Sequence, residues 1–259
     1  MKPKTYFASD FHLGVDARLT SVEREKQICR WLDFVSQDAA AIYLVGDVFD
    51  YFFEYKTVIP KGFNRLFGKL QELRDGNLPI YFFTGNHDMW MFRYFEEEMG
   101  IPIYRQPIIR EIDGKTFYIG HGDGLGPGDY GYKFIKKVFA NKTCQWLYAR
   151  VHPNVGLPMM RFFSSKSREA QDPSVEAQFL GEEKEWLVQY ANKKIEQVNA
   201  DYFIFGHRHL PIDWRLKNEK SRYLNLGEWT LSNTYAVFDG NDISLQVFEN
   251  QGVKIYKNY

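Results

Sequence analysis

The 259-residue chain has only two cysteines, Cys29 and Cys144. They stand far apart and in no metal-type spacing, so free buried thiols in a reducing compartment are expected. No stretch approaches the roughly 20 apolar residues of a membrane span. The start, Met1-Lys2-Pro3-Lys4, runs straight into a strand-like segment without an apolar h-region, so no signal peptide is read there. A cytoplasmic protein is expected, peripheral on a membrane surface. Net charge is absent too: 33 basic and 33 acidic residues cancel. That balance gives no electrostatic footprint of a nucleic-acid partner, and none is expected. There is no Gly-x-Ser-x-Gly elbow, no P-loop, no internal repeat and no low-complexity segment.

One absence is local. From Tyr130 to Arg168 there is no Asp or Glu, while Lys133, Lys136, Lys137, Lys142, Arg150, Arg161, Lys166 and Arg168 give +8 over 39 residues. Since the whole chain sums to zero, the remainder carries −8. Phe134, Ile135, Val138, Phe139, Trp146, Leu147, Tyr148, Val155, Leu157, Met159, Met160, Phe162 and Phe163 lie among these charges. The segment reads as a helical hairpin inserted between two strands, broken at 152–158 by Pro153, Gly156 and Pro158. A solvated basic face over an ordinary helix core is one account. An amphipathic anionic ligand or an acidic membrane surface explains the apolar content better.

What is present is one motif grammar, repeated. Pro79-Ile80-Tyr81-Phe82-Phe83-Thr84 is short, aromatic and uncharged, as a buried strand is, and it delivers Gly85-Asn86-His87-Asp88. Gly85 is expected to turn the backbone sharply. In the same way Tyr6-Phe7-Ala8 leads to Asp10-Phe11-His12, and Ile42-Tyr43-Leu44-Val45 to Gly46-Asp47. Phe117-Tyr118-Ile119 leads to Gly120-His121, and Tyr202-Phe203-Ile204-Phe205 to Gly206-His207-Arg208-His209. Open α/β sheets place ligands beyond the carboxyl ends of their strands. Five such ends predict one site. Asp10 and His12, two apart on extended chain, point the same way. Asp50 is expected to brace the turn or stand behind the site, and the aromatic run 51–55 to join the core. Helices are predicted over 20–36, 61–74, 89–99 and 174–198, and a hairpin over 107–121 turning at Asp113-Gly114. Late strands are read at 222–227, 234–238 and 243–248.

The pooled candidates are Asp10, His12, Asp47, Asn86, His87, His121, His207 and His209, which take five of the six histidines. A lone histidine at a strand end is usually structural; five with two carboxylates indicate metal. Oxygen and nitrogen donors without thiolate suit manganese, iron or zinc more than magnesium alone. The donor count suits two ions sharing a carboxylate, a pairing that clamps both sides of a phosphorus under in-line attack.

Asp-x-His, Gly-Asp, Gly-Asn-His-Asp, Gly-His and Gly-His-x-His, in that order from Tyr6 to Phe248, resemble the calcineurin-like metallophosphoesterase superfamily. The resemblance implies an α/β (α+β) fold: a four-layer αββα sandwich of two sheets flanked by helices. It implies one domain over 1–259 with a helical lid inserted at about 128–170. It also implies two divalent metal ions, manganese ahead of iron or zinc. Asp10, His12 and His209 would hold one, Asn86, His121 and His207 the other, and Asp47 would bridge them. His87 would act over the phosphate as leaving-group acid or charge stabiliser, making His87 and Asp47 the catalytic candidates. Within the superfamily, His121-Gly122-Asp123-Gly124-Leu125, the insertion, Ser164-Ser165-Lys166-Ser167-Arg168-Glu169-Ala170 and Leu226-Gly227-Glu228-Trp229 resemble the UDP-2,3-diacylglucosamine pyrophosphatase family of lipid A biosynthesis. That resemblance implies release of UMP and 2,3-diacylglucosamine 1-phosphate. Asn86, His87, Asp123, Ser164, Lys166, Arg168 and His207 would contact the substrate. The insertion's apolar faces would take acyl chains, and its basic residues would meet the diphosphate or the anionic inner membrane. His87 departs from the pattern, since many members of that family carry Arg there. The alternatives are another phosphoester (nucleotide, phosphoprotein or nucleic acid) and a metal-free binding scaffold.

Overall fold

The computed structural model describes residues 2–126, 130–169, 178–250 and 252–259, with backbone alone at 167–169. Two six-stranded sheets form its centre. The first holds β1 (Lys4–Ala8), β2 (Ala39–Val45), β3 (Ile80–Phe83) and β4 (Ile103–Tyr104), joined by β10 (Thr234–Phe238) and β11 (Ile243–Val247). Its order is β11-β10-β1-β2-β3-β4. The second holds β5 (Ile108–Ile112), β6 (Lys115–Ile119), β7 (Tyr202–Phe205), β8 (Pro211–Arg215), β9 (Arg222–Leu226) and β12 (Tyr256–Lys257), in the order β12-β8-β9-β7-β6-β5. β1, β2 and β3 run parallel, as do β6 and β7. Parallel neighbours end at the same edge, which is why five sequence-distant strands deliver their tips together.

Alternation of side chains explains the layers. Phe7, Tyr43, Val45 and Phe83 of the first sheet meet Phe117, Ile119, Tyr202 and Ile204 of the second between the sheets. The opposite face of the first sheet packs on helices α1 (Ser21–Ser36), α2 (Asn64–Asp75) and α3 (Tyr94–Met99) through Ile28, Trp31, Leu66, Leu70 and Phe95. The opposite face of the second, with Phe203 and Phe205, packs on Leu187, Val188 and Ala191 of α7 (Trp186–Lys194). The predicted αββα sandwich is the observed one. Between β6 and α7 the chain forms α4 (Tyr130–Ala140), α5 (Lys142–Tyr148) and α6 (Pro153–Glu169) outside the sandwich.

Several local expectations change. Only Tyr94–Met99 is helical within 89–99, because the Glu54 carboxylate takes the N–H groups of Phe92, Arg93 and Tyr94 and caps the helix there. Of 174–198, residues 174–177 lie outside the described residues and only Trp186–Lys194 is helical; Gly181, at φ 92°, interrupts what precedes it. Pro153 opens α6 rather than breaking a helix, since the first helical position needs no N–H, and Pro158 lies inside it. The two cysteines are free but half-buried rather than buried. Phe52 and Phe53 are core as expected, while Tyr51 faces a cavity.

Arg24 was not singled out from the sequence, and it organises the loop after β1. Its guanidinium is buried on the core face of α1 and donates to the carbonyls of Phe11, His12, Val15 and Leu19. Its spacing of four before Ile28 was the available signal. Arg24→Met leaves those carbonyls without their donor and is expected to cost about 3 kcal/mol, a fall of about 6–12 °C in Tm, read by thermal melting of chelator-treated protein.

Candidate metal centre

The backbone that carries the site is strained in a consistent way. Asp10, His12, Asp47, His207 and His209 all have positive φ, between 45° and 67°. Such conformations cost energy for non-glycine residues and persist only where surroundings enforce them. Asp10 and His12 therefore converge through left-handed turns after β1 has ended, not through the alternation of an extended strand. The enforcement is visible: Asp10 N–H donates to the Gly46 carbonyl at 3.0 Å and His12 N–H to that of Asp47 at 3.0 Å. Asp10 Oδ2 accepts from His207 N–H at 3.0 Å, and Asp47 Oδ1 from His87 N–H at 2.8 Å. Trp229 N–H donates to the Asp10 carbonyl at 3.0 Å, which gives the late Leu-Gly-Glu-Trp segment its place behind the site. Gly85 does not take positive φ; it is required because the Asp47 carboxylate occupies the space a Cβ would need.

Three overlapping sets bring ligand-type atoms within 4.8 Å of one another: Asp10, His12 and His209; His12, Asp47 and His87; Asp47, His121 and His207. Asp47 belongs to two of them. His12 Nε2 and His209 Nε2 stand 3.1 Å apart, and Asp10 Oδ1 is 3.2 Å from the latter. His121 Nδ1 lies 2.8 Å from the Val45 carbonyl, which only accepts, so Nδ1 carries the proton and Nε2 faces Asp47 Oδ2 at 3.2 Å. His87 stands inside the same cluster, its ring edge-on to His12 at 5.0 Å. Asp10 Oδ1, Asn86 Oδ1 and His121 Nε2 are buried without a hydrogen-bond partner among the described residues. Open oxygen and imidazole donors of this kind fit divalent metal ions.

A cavity of about 650 Å³ opens on Asn86 and His87 and is lined by Met89, Trp90, Ile135, Phe139, Tyr148, Met159, Met160 and Phe163, with Ser164 and Lys166 at its polar end. Asp123 stands beside this cavity: its Oδ2 accepts from Tyr132 OH and from Lys136 Nζ, each at 2.6 Å, tying α4 to the loop after β6. Lys136 was read from the sequence only as one of the basic residues of the insertion; Tyr132, four before it on the same face of the helix, was passed over. The Arg168 side chain lies outside the described residues.

Residues 3–211 match the model of the calcineurin-like phosphoesterase family. The chain belongs to the calcineurin-like phosphoesterases. A UDP-2,3-diacylglucosamine hydrolase of Porphyromonas gingivalis is 37% identical, over 96% of this chain and 99% of that protein. One of Aeromonas salmonicida is 25% identical, over 87% and 85%. A solved archaeal phosphodiesterase superposes with a TM-score of 0.49 at 15% identity, over 94% of this chain and 99% of that one. Membership in this phosphoesterase family implies divalent metal ions, and the three sets above supply the ligand atoms.

Protonation in the phosphoesterase site follows from crowding. Burial raises the carboxyls of Asp10 and Asp47, but the imidazoles around them outweigh it and hold both well below the usual range. Burial lowers His12 and His121, yet Asp10 and Asp50 push the former, and Asp47 the latter, up to about 10. Burial and neighbouring His121 lower His207 to about 4. Asp88, whose oxygens accept from the N–H groups of Gly85 and Val48, is raised by burial and by Asp47 to about 7. Below about pH 10, then, a metal ion must displace protons from His12 and His121. Apparent affinity for Mn²⁺ is expected to rise with pH, by up to about tenfold per unit per displaced proton, with net proton release. Calorimetric titrations at pH 6.5 and 8, in buffers of different ionisation enthalpy, measure both.

Proposed function

We propose that this phosphoesterase hydrolyses the diphosphate of UDP-2,3-diacylglucosamine, giving UMP and 2,3-diacylglucosamine 1-phosphate in lipid A biosynthesis. The observation that carries the reading is a juxtaposition: the phosphoesterase ligand cluster opens directly into a large apolar cavity at Asn86 and His87. A small water-soluble phosphoester has no use for that surface. Two acyl chains do, and the names of the relatives agree.

In this reading the chain is one domain over 1–259, and its helices at about 128–170 are a lid. Asp10, His12 and His209 would hold one divalent ion and Asn86, His121 and His207 the other, with Asp47 shared between the two sets. Two bound ions, manganese in this proposal, would supply the Lewis acidity that draws charge from the phosphorus and activates water. The residues do the rest. Asn86 and His207 border the phosphate. As the imidazolium, with a proton on each ring nitrogen, His87 would turn Nε2–H to the reacting group, to donate a proton or stabilise charge on the departing phosphate; burial disfavours that form and Asp47 favours it. Lys166, and Arg168 beyond it, neutralise the diphosphate. Met159, Met160, Phe139 and Phe163 take the acyl chains and exclude water. Asp123 contributes by holding Tyr132 and Lys136 over the site.

The outer face of the same helices supports a surface role. No residue of α4 or α5 is buried, and Phe134, Trp146, Leu147 and Phe162 are each more than half exposed beside Lys133, Lys137, Arg150 and Arg161. Among the described residues no helix is long and apolar enough to cross a membrane. The proposal is that this face rests on the anionic cytoplasmic leaflet of the inner membrane, where a lipid substrate is met.

Two experiments test these statements. Wild type with Mn²⁺ is expected to release UMP from UDP-2,3-diacylglucosamine in detergent micelles, and chelation or Asp47→Ala to reduce the rate by about 10³-fold or more. Cleavage of an aryl phosphodiester but not of the lipid nucleotide would overturn the substrate and leave the chemistry. In sedimentation with phosphatidylglycerol vesicles, the double variant Phe134→Glu, Trp146→Glu is expected to lose about 100-fold or more in partitioning; unchanged binding removes the membrane face from the proposal.

A further inference from the structure

Ser164 lies on α6, 77 residues beyond His87 in the chain, yet its hydroxyl is at the phosphoesterase site. Ser164 Oγ donates to Asp50 Oδ2 at 2.7 Å and stands 3.1 Å from His87 Nδ1. That nitrogen also stands 3.0 Å from the Asp50 main-chain carbonyl. A carbonyl only accepts, so Nδ1 carries the proton and shares it between the carbonyl and the serine oxygen. The hydroxyl is therefore used in both directions, accepting from His87 and donating to Asp50. Asp50 is fully buried, and its other oxygen, Oδ1, lies 3.4 Å from His12 Nδ1. One carboxylate thus links the outer nitrogen of a candidate metal ligand to a residue of the inserted helices.

We infer that Ser164 is a positioning residue: helix α6 holds the His87 ring, through the Ser164 hydroxyl braced by Asp50, with Nε2 turned to the reacting phosphate. The inference rests on the phosphoesterase role proposed for His87. It gives the inserted helices a second task besides covering acyl chains, because the site is complete only when α6 lies against Asp50. The hydroxyl is already committed to two protein groups, so a contact with substrate alone does not account for its placement. The consequence is specific. Turnover of a small soluble phosphodiester, which has no acyl chain to place in the cavity, should still depend on a residue of that cavity's wall.

The test is steady-state kinetics on bis-p-nitrophenyl phosphate with Mn²⁺. Ser164→Ala is expected to lower kcat about tenfold with KM little changed, the effect of losing one orienting hydrogen bond. Ser164→Thr, which keeps the hydroxyl, is expected to restore most of kcat. In a His87→Ala background, Ser164→Ala should cause no further loss. The inference is overturned if Ser164→Ala leaves soluble turnover intact and raises only KM for the lipid nucleotide. It is equally overturned if the loss is the same with and without His87, which would mark a structural effect. A wild type inactive on both substrates would instead overturn the proposed function itself.

Discussion

Four carboxylates, Asp10, Asp47, Asp50 and Asp88, are buried at one edge of the sandwich, none more than 1% exposed. Buried charge of one sign is tolerated only when it is hydrogen-bonded and paired. The surroundings answer that demand in kind. Main-chain N–H groups of Gly85, His87 and His207 are spent on these oxygens, and five imidazoles stand among them. The left-handed turns at Asp10, His12, Asp47, His207 and His209 aim those groups inward at a cost in backbone energy. The divalent cations that the family implies would complete the compensation. A fold that brings buried acid and imidazole together in this way fits divalent metal ions.

The sandwich makes the concentration possible. Helices pack on its outer faces and aromatic layers fill its middle, leaving the strand ends free to carry polar groups. The parallel run of β1, β2 and β3 in one sheet, and of β6 and β7 in the other, points the ends the same way. Arg24 and Trp229 then fix the first loop from beneath, one through carbonyl oxygens and one through a main-chain N–H.

The inserted helices invert the charge pattern. They carry +8 where the rest carries −8, and they are fastened at acids of the site: Lys136 to Asp123, and Ser164 to Asp50. Their apolar side chains have little core of their own. Tyr148, Leu157 and Met160 pack on Phe53, Tyr55 and Trp90, Phe139 meets the Trp90 ring, and Phe134, Trp146, Leu147 and Phe162 face solvent. Such helices gain most of their stability from what they cover.

The amino-acid sequence by itself determined the strands, the polar groups delivered at their ends and the acid-free helical segment, because periodicity, glycine placement and charge are local properties. It also carried the family, since five motifs in order leave few other folds. Where it misled, a distant group had intervened. Glu54 shortened a helix by capping it across the fold, and the Asp47 carboxylate rather than a sharp turn requires Gly85. Only the tertiary structure decided that Asp123 grips α4 and that Ser164 meets His87 and Asp50. Residues 77 and 114 apart leave no periodic trace of their meeting. Their contact is set by how the helices come to rest on the sheets.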